Sequence, residues 1–194
     1  MTDRLSESPA ETIWSIGHSN HAYETLESLL VHHGIRTVAD IRAFPASRRL
    51  PHFNREVMAA RLEASGIGYQ WLPALGGRRS RGRADSPHRA WAVAAFRNYA
   101  DHMETAEFAK GIEALTALAR ERPTAFLCAE ALYWRCHRRL VADKLKSLGW
   151  RVLHIRGKEP PPEHEFPAFV RIVDGQLIYD GEVGDSQQCD LQFS

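Results

Sequence analysis

Short apolar runs of strand length recur at Thr12–Ile16, Thr37–Ile41, Ile67–Leu72, Thr124–Cys128 and Arg151–Ile155, and most gaps between them carry apolar residues at helical spacing. The first gap sets Tyr23, Leu26, Leu30 and His33 on one helical face. The second follows Asn54, a residue type that caps helix N-termini, and turns Val57, Met58 and Leu62 inward. Gly34, Gly66 and Gly149 each stand directly before an apolar residue that can open a strand, where a left-handed residue ends a helix at little steric cost. The pattern predicts an α/β fold with a mostly parallel five-stranded sheet flanked by helices.

Two further helical stretches, Arg89–Met103 and Thr105–Arg120, fall between the third and fourth strands and predict a helical insertion there. After the fifth strand, the proline-rich segment 158–166 cannot continue a helix and reads as a linker. Within 169–179, two strand-like runs flank Asp174-Gly175, a strong signal for a C-terminal β-hairpin. At 194 residues the chain can bury one sizeable core, so residues 1–194 are taken as one domain with its core at 12–156.

Composition adds little until charge is mapped along the chain. The apolar (44%) and charged (25%) fractions are those of an ordinary globular protein. No apolar run approaches the roughly 20 residues that span a bilayer, and the polar start at 1–11 lacks the apolar core of a signal peptide. A cytoplasmic protein without membrane attachment is expected. Cys128, Cys136 and Cys189 are odd in number and unevenly spaced, which argues for reduced thiols. The net charge of +1 conceals a run of nine arginines between Arg42 and Arg83, so an anionic partner is expected. The oligomeric state is not written in the sequence.

In open α/β sheets, ligands bind beyond the carboxyl ends of the strands, and the residues at those positions here are unusually polar. Gly17-His18-Ser19 follows the first strand, Asp40 and Arg42 close the second, Gly76-Gly77-Arg78-Arg79 follow the third, Glu130 follows the fourth, and His154 ends the fifth. One shared pocket is expected. Gly17-His18-Ser19 ahead of a helix has the setting of an anion site, or of a tight turn with a helix cap. Asp40 and Arg42 alternate with Ile41 and so face one side, as ligand groups or as an ion pair. Ser47, Arg48 and Arg49 lie on a loop stiffened by Pro45 and Pro51, and such guanidinium groups suit phosphate. Gly76 and Gly77 with Arg78, Arg79, Arg81 and Arg83 combine backbone freedom with charge, as a phosphodiester clamp or a solvated loop. Tyr69 and Trp134 are candidates to stack on a base, with core packing as the alternative.

The sharpest cluster is Cys128-Ala129-Glu130 with Cys136-His137-Arg138. Its C-x₇-C-H spacing fits none of the usual zinc patterns, so no metal is expected. The chain lacks a P-loop, and no G-x-G-x-x-G follows a strand, so no ATP or NAD cofactor is expected either. Cys136 at a helix start beside His137 has the setting of an activated thiol, against packing as a small hydrophobe. Glu130 among arginines and histidines can move a proton or steady a developing cation, against a salt bridge to Arg135 or Arg138.

At these same positions the chain resembles the domain of unknown function 488 family. The resemblance is carried by Ile16-Gly17-His18-Ser19, Asp40-Ile41-Arg42 with Pro45 and Ser47, Pro51 with Phe53-Asn54, Gly66-Ile67 with Tyr69, and Leu75-Gly76-Gly77. Tyr99, Met103, Phe108, Cys128-Ala129-Glu130, Cys136-His137-Arg138 and His154-Ile155 extend it. It implies an intracellular α/β protein and assigns no catalytic residue. The residues themselves suggest an enzyme acting on a nucleotide or nucleic acid, with Glu130, Asp40 and His18 in a hydrolytic step. N-glycosidic cleavage suits that set better than phosphoester hydrolysis. Cysteine-dependent thiol chemistry through Cys136 and His137, and a non-catalytic nucleic-acid-binding module, are the alternatives.

Overall fold

The computed structural model describes residues 11–79 and 81–181; the polar start at 1–10, Ser80 and Cys189 lie outside them. The chain runs β1 (Thr12–Gly17), α1 (Tyr23–His32), β2 (Thr37–Asp40), α2 (Arg55–Ala64), β3 (Gly68–Trp71), α3 (Ala94–His102), α4 (Ala106–Glu121), β4 (Thr124–Cys128), α5 (Arg138–Ser147) and β5 (Arg151–Ile155). A hairpin of β6 (Val170–Val173) and β7 (Gln176–Tyr179) ends it. The first five strands form one sheet in the order β3-β2-β4-β1-β5, every pair parallel. β2 and β4, buried along their whole length, lie in the interior of this order, as strands covered on both faces must.

Direction of travel decides which face each helix covers. From β1 to β3 the chain moves one way across the sheet, and from β3 to β5 it moves back. Right-handed crossovers then put the two sets of helices on opposite faces. Tyr23, Leu26, Leu30, Met58 and Leu62 of α1 and α2 pack in one core with Ile16, Val38 and Leu127. Tyr99, Phe108, Ile112, Leu115, Leu140 and Leu145 of α3 to α5 pack in the other with Ile13, Ile41 and Phe126. At β1 and β4, neighbours in the sheet, the chain leaves toward opposite faces, which opens a crevice between their carboxyl ends.

Several local expectations change. Gly34, Gly66 and Gly149 do adopt φ of 68°, 70° and 87°. Asn54 occupies the N-cap of α2, but its side chain accepts from the Ser47 amide (2.6 Å) and so ties the preceding loop instead of the helix. Val57 is 45% exposed, because α2 turns only Met58 and Leu62 to the core. The first insertion helix begins at Ala94, not Arg89. Trp91, ahead of it, is fully buried against Phe169 and Tyr179 and anchors the hairpin. Asp174 and Gly175, at φ 50° and 77°, make the hairpin turn. The segment read as a linker returns to the sheet: Glu163 bridges antiparallel to Leu153, and His164 is buried. It covers the open edge of β5, which would otherwise present unpaired backbone groups.

Candidate functional site

The single pocket expected at the strand ends is two polar clusters, one on each face of the sheet. Alternation along β2 decides this split, since Ala39 and Ile41 belong to the α3–α5 core while Asp40 and Arg42 project to the α1–α2 side.

On the α1–α2 side, Tyr69 donates its hydroxyl to Asp40 (2.6 Å), and Asp40 takes Arg42 through both carboxylate oxygens (2.5 to 3.1 Å). Arg42 extends to the Phe53 carbonyl (2.9 Å) and to Nε2 of His18 (3.2 Å). A guanidinium can only donate, so His18 accepts at Nε2 and gives its Nδ1 hydrogen to the Ser19 carbonyl (2.8 Å). Burial first, then the Arg42 charge, holds the His18 pKa down at about 4, and the ring stays neutral at physiological pH. Burial and Asp40 push the Tyr69 hydroxyl up, so it remains a donor. Asp40 is thereby a brace for Arg42, and Tyr69 is its partner, not a stacking surface.

A cleft of about 490 Å³ opens beside this chain, lined by His18, Ser19, Arg42, Phe44, Ser47 and Glu130 among others. Ser19 sits at φ 50°, and its amide donates to the Ala129 carbonyl (2.8 Å), which locks the β1 end to the β4 end. Gly17 is needed there, since a methyl group on it would overlap the Glu130 carbonyl and Arg138. The anion site expected ahead of α1 takes another form: Ala22 is the N-cap, and Ser19 bonds Asn20 (3.2 Å) without capping the helix. Ser47 Oγ accepts from the Leu50 amide (3.1 Å), holding the loop that forms the cleft wall. Glu130 is exposed, and no ion pair engages its carboxylate among the described residues. Arg138, its expected partner, turns to the backbone carbonyls of Glu130 and Ala131.

On the opposite face, Cys128, Cys136 and His137 meet. Nδ1 of His137 lies 3.5 Å from Cys136 Sγ and 3.8 Å from Cys128 Sγ, while its Nε2 donates to the Ile41 carbonyl (3.0 Å). The Arg138 amide donates to Cys136 Sγ (3.5 Å) at the start of α5. Burial raises the Cys136 thiol, but the hydrogen bond from Cys128 and the adjoining His137 and Arg138 outweigh it and hold Cys136 well below the ordinary thiol range. Cys128, bonded to Cys136 and buried, is held well above it. Gly77 packs over the ring of His137, where a methyl group would overlap Nδ1, Cγ and Cε1 alike, and Gly76 packs on Ala43. At both glycines the absence of a side chain permits close backbone approach.

Other expected site residues are placed elsewhere. His154 is fully buried within a relay: Ser15 Oγ to His154 Nδ1 (2.6 Å), His154 Nε2 to His164 Nδ1 (2.9 Å), and His164 Nε2 to Asp143 (2.8 Å), which also takes the Tyr179 hydroxyl (2.9 Å). Tyr133 stacks on His154 at 3.4 Å. Trp134 lies under Arg156 (4.7 Å), outside the cleft lining. Arg79 reaches the Ala74 carbonyl (3.2 Å) and Glu107 (3.7 Å), and Arg83 reaches Glu104 (2.7 Å), so two of the clamp arginines are held by α4 and by the turn between α3 and α4. Arg78 lies 5.9 Å from the ring of Phe44, and Arg48 and Arg49 are exposed on the neighbouring loop. Phe44, 70% exposed at the cleft, was missed; an aromatic in a polar loop between Arg42 and Pro45 was the available signal. Asp143 was missed too, although it interrupts the apolar stripe of Leu140, Val141 and Leu145.

Fold and cleft together define a parallel α/β protein with a polar crevice at its topological switch point, opened by chain reversal between β1 and β4. The family model described as "Domain of unknown function DUF488" matches residues 22–145, and the chain belongs to that family. No curated protein and no solved structure matches the chain. Among the described residues, no helix is long and apolar enough to cross a membrane.

Proposed function

We propose that the cleft between the β1 and β4 ends binds an anionic ligand bearing a planar ring, a nucleotide or a nucleic-acid strand, and that the protein hydrolyses it in the cytoplasm. The observation that carries this reading is an exposed Glu130 carboxylate, without an ion-pair partner among the described residues, in the same cleft as the exposed Phe44 ring and the braced Arg42. Phe44 offers a stacking surface to a base, with Arg78 beside it. Arg42, Arg48 and Arg49 suit phosphate. Glu130 then serves as the acid–base or charge-stabilising group. It is the sole carboxylate in the described lining, too few oxygen ligands for the paired cations of phosphoester hydrolysis, which favours N-glycosidic cleavage.

The test is a screen of free nucleotides and of damaged and undamaged oligonucleotides for base release and strand cleavage. Glu130→Gln is expected to abolish turnover at unchanged melting temperature. Retained turnover in that variant would remove Glu130 from the mechanism. Loss of turnover on alkylating Cys136 instead would favour the second reading, thiol chemistry, which rests on the Cys136–His137 contact of 3.5 Å. Salt-sensitive binding with no turnover on any substrate would leave a non-catalytic nucleic-acid-binding module.

A further inference from the structure

The cysteine–histidine cluster lies on the other face of the sheet from the cleft, and the reading of Glu130 makes no use of it. Its three ligand atoms, Cys128 Sγ, Cys136 Sγ and His137 Nδ1, lie within 4.8 Å of one another. Neighbouring groups fix the direction in which each can act. The Ile41 carbonyl can only accept, so His137 carries its hydrogen on Nε2 and turns the Nδ1 lone pair toward both sulfurs. Gly77 covers the ring face and leaves the ring plane, where that lone pair lies, to the thiols. Both cysteines are buried, at 8% and 4% exposure, which suits metal ligation better than attack on a substrate.

We infer that Cys128, Cys136 and His137 form a binding site for a thiophilic divalent metal of the zinc class, with a fourth position left for a small ligand. A tetrahedral zinc ion bound at about 2.3 Å to sulfur and about 2.0 Å to nitrogen separates the two donors by about 3.5 Å. The observed separations are 3.5 and 3.8 Å. A metal-bound histidine nearly always donates its other ring nitrogen to a carbonyl or carboxylate, and Ile41 already fills that role at 3.0 Å. The spacing along the chain conceals the site because the ligands come from a strand end and from the residues just before α5, on either side of a 3-10 turn at Tyr133–Arg135. Binding displaces thiol protons to solvent and leaves the sulfurs as thiolate ligands.

The test is titration of the reduced, chelator-treated full chain, wild type and Cys189→Ser, with cobalt(II) under anaerobic conditions. Expected are thiolate-to-cobalt charge-transfer absorption and the intense visible bands of a tetrahedral ion, saturating at one equivalent and bleached by added zinc. Cys128→Ser and Cys136→Ser should each lose the charge-transfer intensity, and His137→Ala should change the visible band pattern. In the wild-type chain, zinc should also protect two thiols from alkylation, a readout that needs no variant to fold. Absence of charge transfer in reduced wild type, or bands that survive in Cys128→Ser/Cys136→Ser, would overturn the site. Because Glu130 lies elsewhere, the outcome is independent of the hydrolysis screen.

Discussion

β1 and β5 lie side by side in the sheet, and a histidine stands at the carboxyl end of each, yet the two rings live in different circumstances. His154 faces Ser15 across the β1–β5 register and is closed in by Tyr133, His164 and the segment that covers β5. Every polar atom of its relay has a partner within the protein, ending on Asp143. His18 is also satisfied, by Arg42 and Ser19, but one residue pair away the β4 end carries Glu130 with an exposed carboxylate and no ion pair among the described residues. A fully satisfied buried network specifies the fold and has nothing left to offer a ligand. A cleft in which braced groups surround a carboxylate without an ion pair among the described residues still has a group to offer a ligand. The position of a polar residue at a strand end therefore does not by itself mark a site.

Acidification tests what the two histidines share. Both stay neutral in the fold, His18 with its pKa lowered to about 4 and His154 to about 2, from an ordinary 6.5, chiefly by burial. Above pH 6.5 neither state takes up a proton, and this stability is fully present. Below it the unfolded chain binds protons that the folded chain refuses, so stability falls by about 1.4 kcal/mol per pH unit for each ring. The loss stops near pH 4 for His18 and continues lower for His154. Denaturant unfolding between pH 7.5 and about 4.5 is expected to lose about 5 kcal/mol from these two rings, with the neutral, buried His88 and His102 adding to the loss in the same direction. A flat profile would break the assignment of both rings as neutral.

Substitutions separate what the two regions do not share. Asp143→Ala leaves the His164 N–H and the Tyr179 hydroxyl buried without an acceptor, at about 1–3 kcal/mol each, so about 4 kcal/mol of unfolding free energy should go. Gly17→Ala, which drives a methyl group into the Glu130 carbonyl and Arg138, is expected to cost about 2 kcal/mol and to disturb the cleft as well. Glu130→Gln should sit at the other end of the scale, within about 0.5 kcal/mol of wild type, as surface substitutions do. Thermal denaturation of the three variants gives the order. If Glu130→Gln proved as damaging as Asp143→Ala, the distinction between a closed network and an open cleft would fail.

Local signals carry local structure, and those for strands and turns are sound. Apolar runs marked the five parallel strands, three glycines marked the ends of helices at positive φ, and Asp174-Gly175 marked the hairpin. Family membership was readable in the same residues. What depends on contacts between distant segments was not readable. Asp40 and Glu130 look alike as carboxylates at strand ends, and only the fold supplies Arg42 and Tyr69 to one and, among the described residues, no ion pair to the other. His164 sat in a segment with the composition of a linker, and its burial depends on β5 being an edge strand. The expected single pocket became two clusters because side chains alternate across a sheet, while their grouping depends on strand order and crossover handedness, which are properties of the whole chain.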